Sequence, residues 1–136
     1  MRVFVCEFVT GGGFVDLPSG LCREGDMMLR ALVKDLAALP GVAVVAARDR
    51  RLPDPALPAR VAWLDPGCEP WHAWAAHVAE ADAVWPIAPE TDGVLERLSA
   101  LVRAAGRVLL GSTPEAVRVA ASKRATAELL AAQGLP

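Results

Sequence analysis

The chain has 136 residues, a hydrophobic content of 54% and a net charge of −2 at pH 7. This length fits one domain, and the slightly acidic balance argues against nucleic acid as a partner. No apolar run approaches the ~20 residues that a membrane span needs, so we expect no membrane partner. Three cysteines without a CxxC pair argue against a disulfide framework or a zinc site, and favour a reducing, cytoplasmic location.

The first half of the chain is predicted to run strand, glycine loop, helix, strand. β-branched and aromatic residues at 2–9 predict a strand, which a run of glycines ends. An apolar stripe at helical spacing predicts a helix over 22–39, and a uniformly apolar run predicts a second strand over 42–47. Residues 48–60 hold three prolines and the basic cluster of the chain, and we expect a solvated, mobile loop there.

The second half alternates in the same way. Short apolar runs predict three more strands, at 61–64, 83–87 and 107–110. An alanine-rich helix with two tryptophans is predicted over 70–81. Thr91 is expected to cap the helix after the fourth strand. Thr113, followed by a proline, predicts the start of another helix.

This alternation predicts an α/β fold: a parallel sheet of four or five strands with helices on both faces, Rossmann-like in arrangement. Ligands of such sheets bind beyond the carboxyl ends of the strands. The loops 10–21, 88–92 and 111–113 reach that edge, so the candidate site residues are sought there.

Gly11, Gly12 and Gly13 follow the first strand, where glycine lets a backbone come close to a ligand. They do not form the dinucleotide fingerprint G-x-G-x-x-G, because Phe14 or Asp16 stands at the third glycine position and the helix starts too late. The run is either part of a substrate site or a flexible turn.

Glu24 and Glu90 are the acidic candidates at the same edge. Glu24 either complements the dipole of the first helix or receives the ammonium group of a substrate. Glu90 either favours the start of the helix that follows it or reaches into the cleft from the rim. We expect both glutamates and the three glycines to converge on one rim.

Lys123 opens the last predicted helix, where a lysine opposes the helix dipole unless an anion is near. It is either a phosphate contact or a solvated surface lysine. His72 and His77 are five residues apart and do not share a helix face as an i, i+4 metal pair would. No metal ligand and no catalytic residue is predicted.

Residues 122–136, a Ser-Lys step, a short helix and Gly-Leu-Pro, resemble the junction at which ATP-grasp ligases pass from their N-terminal domain into the nucleotide-binding lobe. Together with 3–8, 23–28 and 88–93, they resemble the subgroup that contains the tyramine–glutamate ligases of methanofuran synthesis and relatives in methylotrophic bacteria. The order and spacing of these segments carry the resemblance, which covers the whole chain. It implies a pre-ATP-grasp domain at 1–121 and, at 122–136, the start of the linker into an ATP-grasp lobe.

The resemblance implies an ATP-dependent carboxylate–amine ligase, which forms an acyl phosphate that an amine attacks to give an amide. Several ATP-grasp ligases, the D-alanine ligases among them, place a glutamate after the first loop to receive an ammonium group, the role implied for Glu24. In biotin carboxylase-like members the junction lysine contacts nucleotide phosphate, the role implied for Lys123. Ser122 stands where that junction usually has aspartate, so the lysine alone carries over.

By the same resemblance, ATP and Mg²⁺ are cofactors of the full-length enzyme, and the magnesium ligands belong to the lobes that follow. We expect this fragment alone to bind no cofactor and to be inactive. The expected partners are amine and carboxylate substrates, the missing ATP-grasp lobes and a second copy in a homodimer. The alternative is a stand-alone Rossmann-like module that binds a small molecule or dimerises without catalysis.

Overall fold

The computed structural model describes residues 1–135 and confirms the α/β fold. Within them, five parallel strands form one sheet in the order β3-β2-β1-β4-β5. The strands are β1 (Arg2–Glu7), β2 (Ala43–Asp49), β3 (Arg60–Leu64), β4 (Ala83–Ile87) and β5 (Val108–Leu109).

Helices cover both faces of the sheet, although β2 leads directly into β3. They are α1 (Ser19–Ala37), α2 (Pro70–Glu80), α3 (Val94–Ala104), α4 (Pro114–Ala120) and α5 (Lys123–Ala132). Two shorter turns complete the fold, a π-helical turn at Val9–Gly13, called here the glycine turn, and a 3₁₀ turn at Thr91–Gly93. No helix named here is both long and apolar enough to cross a bilayer.

Two apolar layers sandwich the sheet, because neighbouring residues of a strand point to opposite faces. Val5 of β1 belongs to one buried cluster with Leu29 of α1. Phe4 belongs to the other cluster, with Trp74 of α2 and Leu98 of α3. Burial on both faces explains why β1 and β2 are apolar at nearly every position.

The strand order puts β1 in the middle of the sheet, between β2 and β4. Since all strands are parallel, their carboxyl ends share one side, called here the carboxyl edge. Glu7, the last residue of β1, pairs in register with Ile87, the last residue of β4. The chain leaves β1 towards α1 and leaves β4 towards α3, on opposite faces, which is the arrangement that opens crevices in such sheets.

The first elements differ from the prediction at their boundaries. β1 ends at Glu7 because the chain curls at once into the glycine turn, where the 2–9 prediction continued the strand. α1 begins at Ser19, three residues before the predicted start at Cys22. Glu24 is therefore the sixth residue of α1 and lies beyond its first turn, where the helix dipole no longer acts on it appreciably.

The prediction of a solvated basic loop at 48–60 is wrong for Arg48. β2 runs on to Asp49, and Arg48 is buried, with 2% of its surface exposed. Its guanidinium donates to the Asp26 carboxylate at 2.5 Å and to the carbonyl oxygen of Pro53 at 3.0 Å. Arg30 of α1 donates to the carbonyl oxygen of Pro55 at 2.7 Å, so the proline-rich loop is fastened to α1 and β2.

Thr91 does not cap α3, contrary to the prediction. The segment after β4 first forms the 3₁₀ turn, and Gly93, with φ of 67°, is the cap residue of α3. Asp92 also has a positive φ, 56°, which is uncommon for a residue with a side chain. The predicted caps Thr113 and Ser122 are confirmed, since each side chain accepts a hydrogen bond from the third backbone N–H after it.

Candidate functional site

The glycine turn is organised by a buried carboxylate. Glu7 is 1% exposed and accepts hydrogen bonds from the backbone N–H of Val9 at 3.1 Å and of Thr10 at 2.6 Å. The Thr10 hydroxyl donates to the same carboxylate at 2.7 Å. A Cβ on Gly25 of α1 would lie 2.5 Å from a Glu7 oxygen, so a glycine is required there for α1 to pass this carboxylate.

Each glycine of the turn has a packing reason. A Cβ on Gly11 would lie 3.2 Å from the Cβ of Ala47, and one on Gly13 would lie 2.5 Å from the ring of Phe8. Gly12 has φ of 93°, a conformation that other residues rarely adopt. The indole N–H of Trp74 donates to the Gly11 carbonyl at 3.1 Å. The turn is therefore closely packed, and a part for these glycines in a substrate site stays a prediction.

A cleft of about 480 Å³ opens beside this turn at the carboxyl ends of β1, β2 and β3. We call it the glycine cleft. Its wall is lined by Gly12, Gly13, Phe14, Val15, Asp49, Arg51, Leu64, Asp65, Pro66, Gly67, Cys68, Glu69, Pro70 and Trp71. Gly11 is buried and does not line the cleft.

An ion pair joins two walls of the glycine cleft. Arg51 donates to Asp49 with a closest distance of 2.6 Å, and the same guanidinium donates to the carbonyl oxygens of Phe14 and Val15. Burial raises the pKa of Asp49, but the hydrogen bonds from Arg51 outweigh it, so this pKa lies below its usual value. Asp49 therefore stays ionised at neutral pH and ties the loop after the glycine turn to β2.

A second, smaller cavity of about 120 Å³ lies between α3, α4 and the ends of β4 and β5. We call it the Ser99 cavity. It is lined by Trp85, Pro86, Glu90, Leu95, Ser99, Leu110, Gly111, Ser112, Ala116, Val117 and Ala120. Ser99 is 1% exposed, and its hydroxyl has no hydrogen-bond partner among residues 1–135.

The predicted site residues are divided among three places. Gly12 and Gly13 line the glycine cleft, whereas Glu90 lines the Ser99 cavity. Glu24 is exposed and lines neither. Its neighbour Gly25 faces the sheet, and successive residues are about 100° apart around a helix, so Glu24 is turned towards solvent. The structure does not bring the three glycines and the two glutamates to one cleft.

Lys123 is the first residue of α5, and it is exposed. Ser122 precedes it as the cap, with its hydroxyl accepting from the Ala125 N–H at 3.2 Å. Gly134 follows α5 with φ of 71°, the left-handed conformation that commonly ends a helix. Lys123 thus lies exposed at the N-terminus of α5, and it forms no ion pair within residues 1–135.

Aromatic side chains of α2 pack against the sheet and against α3. Trp74 is completely buried, and the Arg97 guanidinium lies 3.7 Å from the ring centre of Trp71. His77 packs against the ring of Phe4 with the ring centres 5.3 Å apart, while His72 is exposed. In the part of the chain that the structure describes, no three His, Cys, Asp or Glu side chains are grouped so that they could hold a metal ion.

Three residues that shape these clefts were not singled out from the sequence. Glu7 carried a usable signal, because a charged residue within a buried strand needs partners. Asp49 is the last residue of β2, a position that became evident only once β2 was seen to extend past the predicted end. Ser99 gave no signal, since a serine within a helical pattern is ordinary.

The family model of the pre ATP-grasp 3 domain matches residues 42–117, more than half of the chain. The match includes Asp49, Glu90 and Ser99, and it does not extend to the glycine turn, Glu24 or Lys123. No curated protein and no solved structure matches the chain. The matched segment runs from β2 to α4 and carries four of the five strands described above. The chain therefore belongs to the pre ATP-grasp 3 domain family, whose members form the N-terminal part of ATP-grasp enzymes.

Proposed function

We propose that this chain is the substrate-side domain of an ATP-dependent carboxylate–amine ligase. The observation that carries the proposal is the family match over residues 42–117, together with a parallel sheet whose carboxyl edge bears two clefts. A cytoplasmic location is part of the proposal, and the three free cysteines agree with a reducing compartment.

The proposed reaction has two steps. ATP supplies the phosphoryl group, so that a carboxylate oxygen forms a bond to phosphorus while the bond to ADP breaks. The amine nitrogen of the second substrate then attacks the acyl carbon, the bond from carbon to the phosphate oxygen breaks, and the nitrogen loses a proton. The products are an amide, ADP and phosphate.

Within residues 1–135 the donor set for Mg²⁺ does not fit, because no group of three carboxylate, His or Cys side chains could hold a metal ion. No step is therefore assigned to a metal held by this chain. Lys123 is proposed to contact a nucleotide phosphate, and its support is an exposed ammonium at the N-terminus of α5, where the helix dipole also favours an anion.

The finer proposal is a ligase of the tyramine–glutamate type. Its support is the resemblance of residues 3–8, 23–28, 88–93 and 122–136 to that subgroup. In this form of the proposal the amine is an aryl-ethylamine, the acid is an amino acid, and the product is a γ- or α-amide of that acid.

The test uses the full natural chain that carries this domain. It is incubated with ATP, Mg²⁺, an amine and a carboxylic acid labelled with heavy oxygen in its carboxylate. Transfer of one labelled oxygen to the released phosphate, together with an amide detected by mass spectrometry, is the expected result. ADP formation without an amide and without label transfer, over a panel of amines and acids, contradicts the proposal.

Glu24 has its own test in the same enzyme. A rim carboxylate that holds an ammonium group makes a charge-assisted hydrogen bond typically worth ~1.5–3 kcal/mol. If Glu24 has this role, Glu24→Gln raises the KM for the amine about ten-fold or more and leaves the KM for ATP nearly unchanged. An unchanged KM for the amine rules the role out.

A further inference from the structure

The Ser99 cavity carries a polar group that the fold leaves unsatisfied. The hydroxyl of Ser99 is buried and lacks a hydrogen-bond partner among residues 1–135. A buried hydroxyl without a partner is costly, and such groups in native proteins call for an explanation. Ser99 lies on the wall of an open space of about 120 Å³, which is large enough to contain what the hydroxyl lacks.

The charge of the residues that line the Ser99 cavity indicates what kind of ligand it could bind. Among the residues that line the cavity, Glu90 is the single charged one. Within residues 1–135 it has no ion-pair partner, whereas the nearby acid Glu96 is paired with Arg118 at 2.5 Å. Glu90 is an exposed carboxylate, and it lines the same cavity as a hydroxyl that can accept a hydrogen bond. This pair of acceptors favours a cation that donates hydrogen bonds.

The remaining walls fix the size and the apolar part of the occupant. Pro86, Leu95, Val117 and two alanines supply apolar surface. A volume of about 120 Å³ has room for only a small group of a few non-hydrogen atoms. An alkyl chain of two or three carbons that ends in an ammonium group has this size and this polarity.

We infer that the Ser99 cavity is a binding site for a primary alkylammonium group, with Glu90 holding its charge and the Ser99 hydroxyl accepting one of its N–H groups. A larger amine enters with its aminoethyl end and keeps the rest outside. The inference rests on the proposed function for its biological role, because the ligase would use this cavity to hold its amine substrate.

The position of the Ser99 cavity in the fold agrees with the binding of an amine substrate. It lies at the carboxyl edge and is bounded by the loop after β5 and by α4, the helix that precedes Ser122 and Lys123. Glu90 and Ser99 also fall within the segment that matches the family model. The cavity is thus on the side of the sheet from which the chain runs towards the proposed phosphate contact.

The direct test is a titration of the chain with propylammonium, followed by the amide NMR signals of Ser99, Gly111 and Ser112. Propylammonium is expected to shift these signals with millimolar affinity, while propanoate and 1-propanol of similar size are not. Equal shifts with 1-propanol would show that the cavity takes any apolar molecule, and no shift with propylammonium would show that it does not bind an alkylammonium group. Either result overturns the inference.

Two variants and a control locate the binding. Glu90→Gln and Ser99→Ala are each expected to weaken propylammonium binding about five-fold, the scale of one exposed ion pair or one hydrogen bond. Glu115→Gln removes a carboxylate of α4 that does not line the cavity, and it should leave the affinity unchanged. If Glu115→Gln weakens binding as much as Glu90→Gln, the attraction is general surface charge and the inference fails.

This test separates the inference from the proposed function, because it needs neither ATP nor turnover. Binding at Ser99 in a protein that forms no amide would keep the inference and remove the ligase. A working ligase whose KM for the amine is unchanged by both Glu90→Gln and Ser99→Ala would keep the ligase and remove the inference.

Discussion

At the β1–β3 end of the carboxyl edge the buried polar groups are matched, whereas at the β4–β5 end a buried hydroxyl has no hydrogen-bond partner among residues 1–135. Glu7 accepts three hydrogen bonds, and Asp49 is paired with Arg51. At the other end Ser99 is unsatisfied, and Glu90 has no ion pair within residues 1–135.

The difference shows which features of this chain point to a ligand. The glycine turn attracts attention in the sequence, yet its glycines are explained by close packing and its polar groups by each other. The β4–β5 end shows no recognisable sequence motif, but it contains the Ser99 hydroxyl and the Glu90 carboxylate, which have no hydrogen-bond or ion-pair partner, respectively, within residues 1–135. A buried polar group without a partner costs stability, so its presence indicates a binding site more strongly than the glycine turn does.

The largest expected loss of stability comes from replacing Glu7, which accepts three hydrogen bonds at the β1–β3 end. Glu7→Gln places an amide N–H₂ against backbone donors, so we expect a loss of about 3 kcal/mol in the free energy of unfolding. Glu90→Gln, at the exposed end, should change it by less than about 0.5 kcal/mol. Urea unfolding of both variants measures the contrast. Equal losses would show that the two ends are equally structural.

The packing of the glycine turn is tested next, with Gly13→Ala. Its new Cβ would fall within 2.5 Å of the Phe8 ring, and overpacking of this kind typically costs about 1–3 kcal/mol. Gly20→Ala is the matched control, since a Cβ there meets no atom within 4 Å and alanine favours the helix. Thermal unfolding should show Gly13→Ala destabilised and Gly20→Ala unchanged or stabilised. A stable Gly13→Ala would mean that the turn is loose.

The effect of Ser99→Ala on the free energy of unfolding tests whether the Ser99 hydroxyl lacks a hydrogen-bond partner. Removing a buried hydroxyl that lacks a partner relieves its desolvation cost, so we expect the free energy of unfolding to rise by about 1 kcal/mol. The melting temperature should rise by about 3–5 °C for a domain of this size. Ser19→Ala, at the exposed start of α1, is the comparison variant. A destabilised Ser99→Ala would reveal a hydrogen bond that the hydroxyl makes after all.

The smallest effect concerns His77, on the same helix as Trp74. Burial, and then the charge of Arg60, lower its pKa below the usual value of about 6.5. Between the lower pKa of the folded protein and the usual value, the unfolded chain therefore binds more protons at His77 than the folded protein does. The free energy of unfolding should accordingly fall as the pH drops from about 7 past about 6.5 and towards the lower pKa of the folded protein. His77→Gln should flatten this slope, and His72→Gln, at an exposed position, should not. The slope is read from urea melts at several pH values.

Much of the fold followed from the sequence, because its signals are local. Alternating apolar strands and striped helices predicted the parallel sheet, and Thr113 and Ser122 predicted their caps. The predictions that were wrong depend on contacts between residues far apart in the sequence. Arg48 was assigned to a solvated loop because its charge suggested exposure, while Asp26, 22 residues away, provides the partner that allows its burial.

The site was less predictable than the fold. We expected the three glycines, Glu24 and Glu90 to converge on one rim, whereas Gly12 and Gly13 line the glycine cleft, Glu90 lines the Ser99 cavity and Glu24 lines neither. This division depends on helix rotation and strand order, which the sequence pattern does not give. Gly25 illustrates the point: its importance comes from Glu7, which lies 18 residues earlier in the chain. No periodicity in the sequence encodes such a contact.

The central position of β1 also has a consequence for how the protein is made. β1 is synthesised first, and its partner β2 follows, but the strand on its other side, β4, is completed only at Ile87. At about 5–20 residues per second, the ribosome needs roughly one to five seconds to proceed from β3 to the end of β4. During that interval the apolar edge of β1 is unpaired on the nascent chain, and chaperones that shield strand edges would act there.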